Sequence, residues 1–126
     1  MAAVKSNSKN TAQVLVTLCD ETYPVMSNEV TIEKIIISLT KSASCKYVIP
    51  GNTVQFCVAI RNDSEVALVD VDFLDHLDID ATYVNDTFTV NSSPAVPTVN
   101  GRDISYTIPS IAAHTTTTIC FRVKII

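Results

Sequence analysis

Two runs in this chain alternate apolar and polar residues without a break, and that spacing constrains the fold more than any other feature. In Val54–Arg61, the residues Val54, Phe56, Val58 and Ile60 project to one side and Gln55, Cys57, Ala59 and Arg61 to the other. In the last run, Ile119, Phe121, Val123 and Ile125 oppose Thr118, Cys120, Arg122 and Lys124. Successive side chains of a strand point to opposite faces, so a period of two predicts half-buried antiparallel strands. Val69, Val71 and Phe73 alternate with Asp70 and Asp72, and Ile104, Tyr106 and Ile108 with Ser105 and Thr107. Turn chemistry separates these runs at Pro50-Gly51-Asn52, Asn62-Asp63-Ser64, Val84-Asn85-Asp86, Ser92-Ser93-Pro94 and Asn100-Gly101. Helical spacing competes only over Glu29–Leu39, where Val30, Ile32, Ile35, Ile36 and Ile37 are β-branched and favour a strand. The expectation is an all-β protein: an antiparallel β-sandwich of about seven strands over residues 30–126, close to the ~100 residues such a sandwich needs.

Composition narrows the function. The 126 residues are 47% hydrophobic, enough for a core and too apolar for a wholly disordered chain. Lys and Arg number 9 against 13 Asp and Glu, a net charge of −4, the wrong sign for a nucleic-acid or anionic-membrane binder. No run approaches the ~18 apolar residues of a membrane span. The amino terminus, MAAVKSNSKNTAQ, lacks the charged start and apolar stretch of a secretory signal. The chain is therefore expected to stay inside the cell, to be a mature fragment, or to leave by another route.

With 2 His, 2 Gly and no Trp, the chain shows no Ser-His-Asp order around a nucleophile elbow, no Cys-His pair and no phosphate-cradling loop. Neither an enzyme nor a small-molecule substrate or cofactor is expected. The series Asp70, Asp72, Asp75, Asp78 and Asp80 has no glycine nearby for a calcium loop, and reads as a solvated face that discourages aggregation. No metal site is expected.

Residues 1–29 stand outside the sandwich count. The first dozen are polar and read as a flexible arm. Ala12–Cys19 then carries an isolated strand signal, with Val14, Leu15, Val16 and Leu18 as its apolar content, and Asp20–Asn28 reads as a linker. Such a strand can pack as an extra edge on its own domain. It can equally be donated to the sheet edge of a neighbouring subunit, where main-chain hydrogen bonds supply affinity and alternate side chains fill pockets.

The four cysteines are Cys19, Cys45, Cys57 and Cys120. Cys57 and Cys120 sit on the outward rows of their strands, which allows one cross-strand disulfide if those strands are neighbours. Four cysteines allow three intramolecular pairings, and the sequence does not choose between them. The leading reading bonds Cys19 on the arm to a body cysteine of a neighbouring subunit. Purely intramolecular pairing, free thiols and a zinc site are the other three.

From Thr40 the chain reads TKSASCKYVIPGNTVQFCVAIRNDSEVALVDVDFLDHLD. Lys41, Pro50-Gly51-Asn52-Thr53-Val54, Phe56, Asn62, Val69, Val71 and Asp75, then Ile104-Ser105-Tyr106-Thr107-Ile108 and Ile111, follow in order. This series resembles the conserved-repeat "domain of unknown function eleven" family of bacterial and archaeal surface proteins, over roughly residues 30–126. Asn52 replaces the family's usual Asp, Ser64 its usual Gly, and Ala113-His114 a common Pro-Gly. The resemblance implies an immunoglobulin-like or prealbumin-like module serving as a spacer or stalk on a cell surface, with no catalytic residues. The architecture is also similar to the self-assembling fibre subunits of firmicute endospore appendages. Lys41, Asn62 and Asp75 come in an order that invites an isopeptide cross-link of the kind found in related pilin domains. The last strand offers no Asn or Asp acceptor, however, so a surface lysine and a turn asparagine are the preferred readings.

The expected function is structural: a homo-oligomeric subunit that polymerises head to tail into an extracellular filament on a cell or spore surface by donating its N-terminal strand. The alternative is a monomeric, adhesin-like or coat-associated binding module.

Overall fold

The computed structural model describes residues 7–126, which divide into two compact units, one ending at Ile35 and the other spanning Ile36–Ile126. The described residues form thirteen strands and no helix.

The first unit is a single long hairpin. Its strands are β1 (Asn7–Asn10), β2 (Gln13–Leu18), β3 (Glu21–Met26) and β4 (Val30–Glu33). β2 pairs with β3 from Gln13↔Met26 to Leu18↔Glu21, and β1 pairs with β4 from Asn7↔Glu33 to Asn10↔Val30, all antiparallel. Cys19 and Asp20 close the tip with φ of 51° and 68°. Two consecutive left-handed residues make the primed turn that matches the twist of a tight hairpin. The flexible arm expected over the first dozen residues lies outside the described residues for 1–6, and Asn7–Asn10 are a strand rather than an arm. Nor is Asp20–Asn28 a linker, because Glu21–Met26 is the return strand of β2.

The second unit is the sandwich. It holds β5 (Ile37–Ala43), β6 (Thr53–Asn62), β7 (Leu68–His76), β8 (Ala81–Tyr83), β9 (Thr89–Val90), β10 (Ser93–Pro94), β11 (Thr98–Asn100), β12 (Asp103–Ile111) and β13 (Thr115–Ile125). One six-stranded sheet runs in the order β10-β9-β13-β6-β5 with β8 also on β13, and a three-stranded sheet runs β11-β12-β7. The four alternating runs of the sequence are β6, β13, β7 and β12. Val30–Glu33, read from sequence as the start of the sandwich, belongs instead to the hairpin.

The core is built from the inward rows. Val54, Val58 and Ile60 of β6 with Ile119, Phe121 and Val123 of β13 supply one side, and Phe73 of β7 with Ile104 and Ile108 of β12 the other, while Ile111 is buried at the end of β12 outside that row. Phe88, in the loop between β8 and β9, ties the layers together. Its ring centroid lies 5.3 Å from Tyr106 and 6.4 Å from Phe73 on the small sheet, and 6.1 Å from Phe121 on the large one.

Asn62 is fully buried at the end of β6 and organises the turn that follows. Its Nδ2 donates to the carbonyls of Val66 and Ile111 at 3.0 Å and of Ala112 at 3.3 Å, and its Oδ1 accepts from the Ser64 amide at 3.0 Å. Ser64 Oγ in turn accepts from the Ile36 amide at 2.7 Å. Replacing Asn62 with Leu strips partners from buried backbone groups, which costs roughly 1–3 kcal/mol for each group left unpaired. Asn62→Leu is therefore expected to lower stability by about 3 kcal/mol, read as a reduced urea midpoint at unchanged slope.

Candidate functional site

The hairpin carries the most unusual surface of the chain. Directly opposed residues of an antiparallel pair share a face. Val14 with Val25, Val16 with Tyr23, and Leu18 with Glu21 therefore lie on one face, and Leu15 with Pro24 and Thr17 with Thr22 on the other. Between the two paired segments the register slips. Ser27 donates its amide to the Ala12 carbonyl at 2.8 Å, so Thr11 faces both Asn28 and Glu29 before Asn10 meets Val30. This is a β-bulge, one extra residue on the returning strand. Its effect is to change the parity of that strand.

Beyond the bulge, Val30 and Ile32 project to the same side as Val14, Val16, Leu18, Tyr23 and Val25. Seven large apolar residues thus line one face of a two-stranded ribbon about 40 Å long. All seven are exposed. A lone two-stranded hairpin is at best marginally stable in water, and contiguous apolar surface of this kind marks an interaction site. At the tip, Tyr23 donates its hydroxyl to Glu21 Oε2 at 2.5 Å, a bond that raises the phenol above its ordinary pKa.

Of the four apolar residues expected to form the donated strand, Val14, Val16 and Leu18 share the apolar face, whereas Leu15 points the other way. Read from sequence, their partners fall elsewhere, Tyr23 and Val25 in a linker and Val30 and Ile32 in the first strand of the sandwich. The signal that could have revealed them is the alternation in Glu21-Thr22-Tyr23-Pro24-Val25, which the proline obscures.

The cysteines separate into two kinds. Cys57 and Cys120 face each other across β6 and β13 and form a disulfide, with Cα atoms 4.1 Å apart. This is the cross-strand bond the outward rows allowed. Cys19 and Cys45 are exposed free thiols, the first at the ribbon tip and the second in the loop after β5.

Lys41 and Asp75 meet at the open side of the sandwich. Lys41 Nζ lies 2.7 Å from Asp75 Oδ2 and 4.7 Å from the centre of the Phe56 ring. Asp75, on the inward row of β7, is only 9% exposed, so the lysine head supplies the charge and the hydrogen bond that a sheltered carboxylate requires. Asn62 takes no part in this pair. Along β5 it lies opposite Ile37, four residues from Lys41, and its amide is committed to the turn. The isopeptide arrangement thus lacks its asparagine, and Asn62 is a turn residue, fully buried, that ties the turn after β6 to the end of β12.

Elsewhere on β7, Asp70 and Asp72 are exposed, with Thr107 Oγ1 donating to Asp72 at 2.8 Å, and His76 pairs with Asp103. Among the described residues no group of three or more His, Cys, Asp or Glu side chains converges on a point, and no helix is long and apolar enough to cross a membrane. No family model, curated protein or solved structure matches the chain.

Proposed function

We propose that this chain is a structural subunit that assembles head to tail into a filament at a cell or spore surface, the ribbon of each copy docking on the body of the next. The observation that carries this reading is the row of seven exposed apolar residues along one face of the ribbon, aligned by the bulge. Covering each half-exposed side chain contributes about 1 kcal/mol, so seven contribute about 7 kcal/mol before the cost of association. Main-chain hydrogen bonds to a sheet edge add to that and fix the register. A ribbon that docks on a surface elsewhere on the body makes a heterologous contact. Such contacts repeat without closing, which favours a fibre over a dimer. Cys19 and Cys45 are then the thiols free to join neighbouring copies covalently.

Negative-stain microscopy of the purified protein, beside residues 36–126 alone, tests this directly. Filaments in the full chain and none in the body fragment are expected. Filaments that become shorter in a Cys19→Ser/Cys45→Ser variant would assign those thiols to the joints. A monodisperse monomer under all conditions would overturn the reading in favour of a surface-binding module.

A further inference from the structure

The two sheets of the body are unequal, and the inequality leaves a vacancy of definite shape. The large sheet ends in β5 and the small one in β7, so both strands are edges. Ile37, Leu39 and Lys41 of β5 lie opposite Asn62, Ile60 and Val58 of β6 and so belong to the inward row. Ile60 is 2% exposed, yet Leu39 is 63% and Ile37 42% exposed. Their sheet neighbours are in place. What they lack is a strand facing them from the small sheet. In its place is a cleft of about 270 Å³ whose walls include Leu39, Val58, Phe73 and the Lys41–Asp75 pair.

We propose that this cleft is the acceptor for the ribbon of a second copy of the chain, with β2 of that copy adding antiparallel to the free edge of β7. The proposal rests on the assembly reading above and specifies its site. Three features identify the occupant. The small sheet has three strands and the ribbon brings two, so their union gives five strands facing the large sheet. An added strand must be apolar toward β5, and the ribbon turns Val14, Val16, Leu18, Tyr23 and Val25 to one face and a mixed set, Gln13, Leu15, Thr17, Thr22, Pro24 and Met26, to the other.

The third feature is a matching gradient of polarity. Ile37 lies toward the Leu68 end of β7, because its partner Asn62 bonds the carbonyl of Ile111, which pairs with Leu68, whereas Lys41 meets Asp75 toward the His76 end. On the ribbon, the half near the tip carries Val14, Val16, Leu18, Tyr23 and Val25, whereas Ser8 and Asn10 share the apolar face with Val30 and Ile32 near the base. The match places the tip toward Leu68, and in that orientation β2 runs antiparallel to β7, like every other strand pair described here.

A chain's own ribbon does not satisfy the same match. β4 and β5 are joined by residues 34–36, which span at most about 10 Å. Folded back, the ribbon would bring its base rather than its tip half to Ile37 and Leu39.

Two measurements test the site in the full chain. Leu39→Glu places a carboxylate in the cleft at a position exposed in the isolated body, so the body keeps its urea midpoint, and the critical concentration for polymer formation is expected to rise about 100-fold. In a Cys19→Ser/Cys45→Ser background, differently tagged Val16→Cys and Leu39→Cys proteins are mixed with a low-molecular-weight disulfide as oxidant. The Val16→Cys thiolate attacks one sulfur of it, breaking its S–S bond and releasing one small thiolate to form a mixed disulfide, and the Leu39→Cys thiolate then displaces the second small thiolate, leaving a Cys–Cys bond between chains. That mixed-tag species is the expected product. Polymers of Leu39→Glu indistinguishable from wild type would overturn the site and leave self-assembly standing. A bond confined within single chains of the doubly substituted Val16→Cys/Leu39→Cys protein would overturn the second copy as occupant. Absence of polymers from the unsubstituted protein would overturn both readings.

Discussion

Val16→Asp is expected to abolish polymer formation while the body unfolds at the wild-type denaturant midpoint. Val16 lies near the middle of the apolar row of β2, opposite Tyr23. Burying a valine is worth about 1.5 kcal/mol. Forcing an unpaired carboxylate into the same place costs at least about 3 kcal/mol, whether it stays charged or takes up a proton. The sum exceeds 4 kcal/mol, a weakening of more than ~1000-fold at each joint. The core lies wholly within residues 36–126, so its stability is not touched. Leu15→Asp is the matched control, the same change one residue away on the opposite face. It is expected to polymerise nearly as the wild type does. Sedimentation across a concentration series reads both variants, and equal loss of polymer in the two would show that the ribbon does not bind by one face.

Removing the Cys57–Cys120 bond has the largest expected effect on the body itself. The bond joins residues 63 apart in sequence and lies at the centre of the β6–β13 pair, the longest in the molecule. Loop-closure entropy for a ring of that size gives about 4 kcal/mol of stabilisation through the unfolded chain. Cys57→Ala/Cys120→Ala is therefore expected to lose about 4 kcal/mol, most of the margin of a small domain. Chemical denaturation of the double variant beside the oxidised and reduced wild type measures this. A double variant as stable as the oxidised protein would show that the strand ladder alone sets the stability of the pair.

The body was far more legible in the sequence than the ribbon was. β6, β13, β7 and β12 each have one face in the core and one toward solvent, so burial imposes the period of two that the residues display. The outward placement of Cys57 and Cys120 follows from the same parity, and their bond needed only the adjacency of their strands. Phe88 was not legible, because a single aromatic in a turn-rich stretch carries no periodicity and its role is set by three rings from distant strands. The Lys41–Asp75 pair depends on how β5 and β7 lie across the sandwich, which no local pattern encodes. In the ribbon, Pro24 breaks the appearance of a strand although it sits opposite Leu15 in a regular register. A proline is tolerated there because an edge strand has amides that need no partner. The bulge at Asn28–Glu29 hides the rest, since Val30 and Ile32 fall out of phase with Tyr23 and Val25 when the sequence is read at strict period two.

The disulfide also determines how the body behaves under tension. Pulled between its ends, a covalent chain can lengthen only along the shortest bonded path, and in this body that path leaves β6 at Cys57 and enters β13 at Cys120. The intervening segment, 63 residues by sequence separation, hangs off that path as a closed loop and carries no load. About 210 Å of contour is thereby withheld from extension. Every aromatic ring packed around Phe88 except that of Phe121 belongs to the shielded loop. A stretched body therefore stiffens after yielding only the short segments outside the cross-link, and recoils with most of its core sequence still confined.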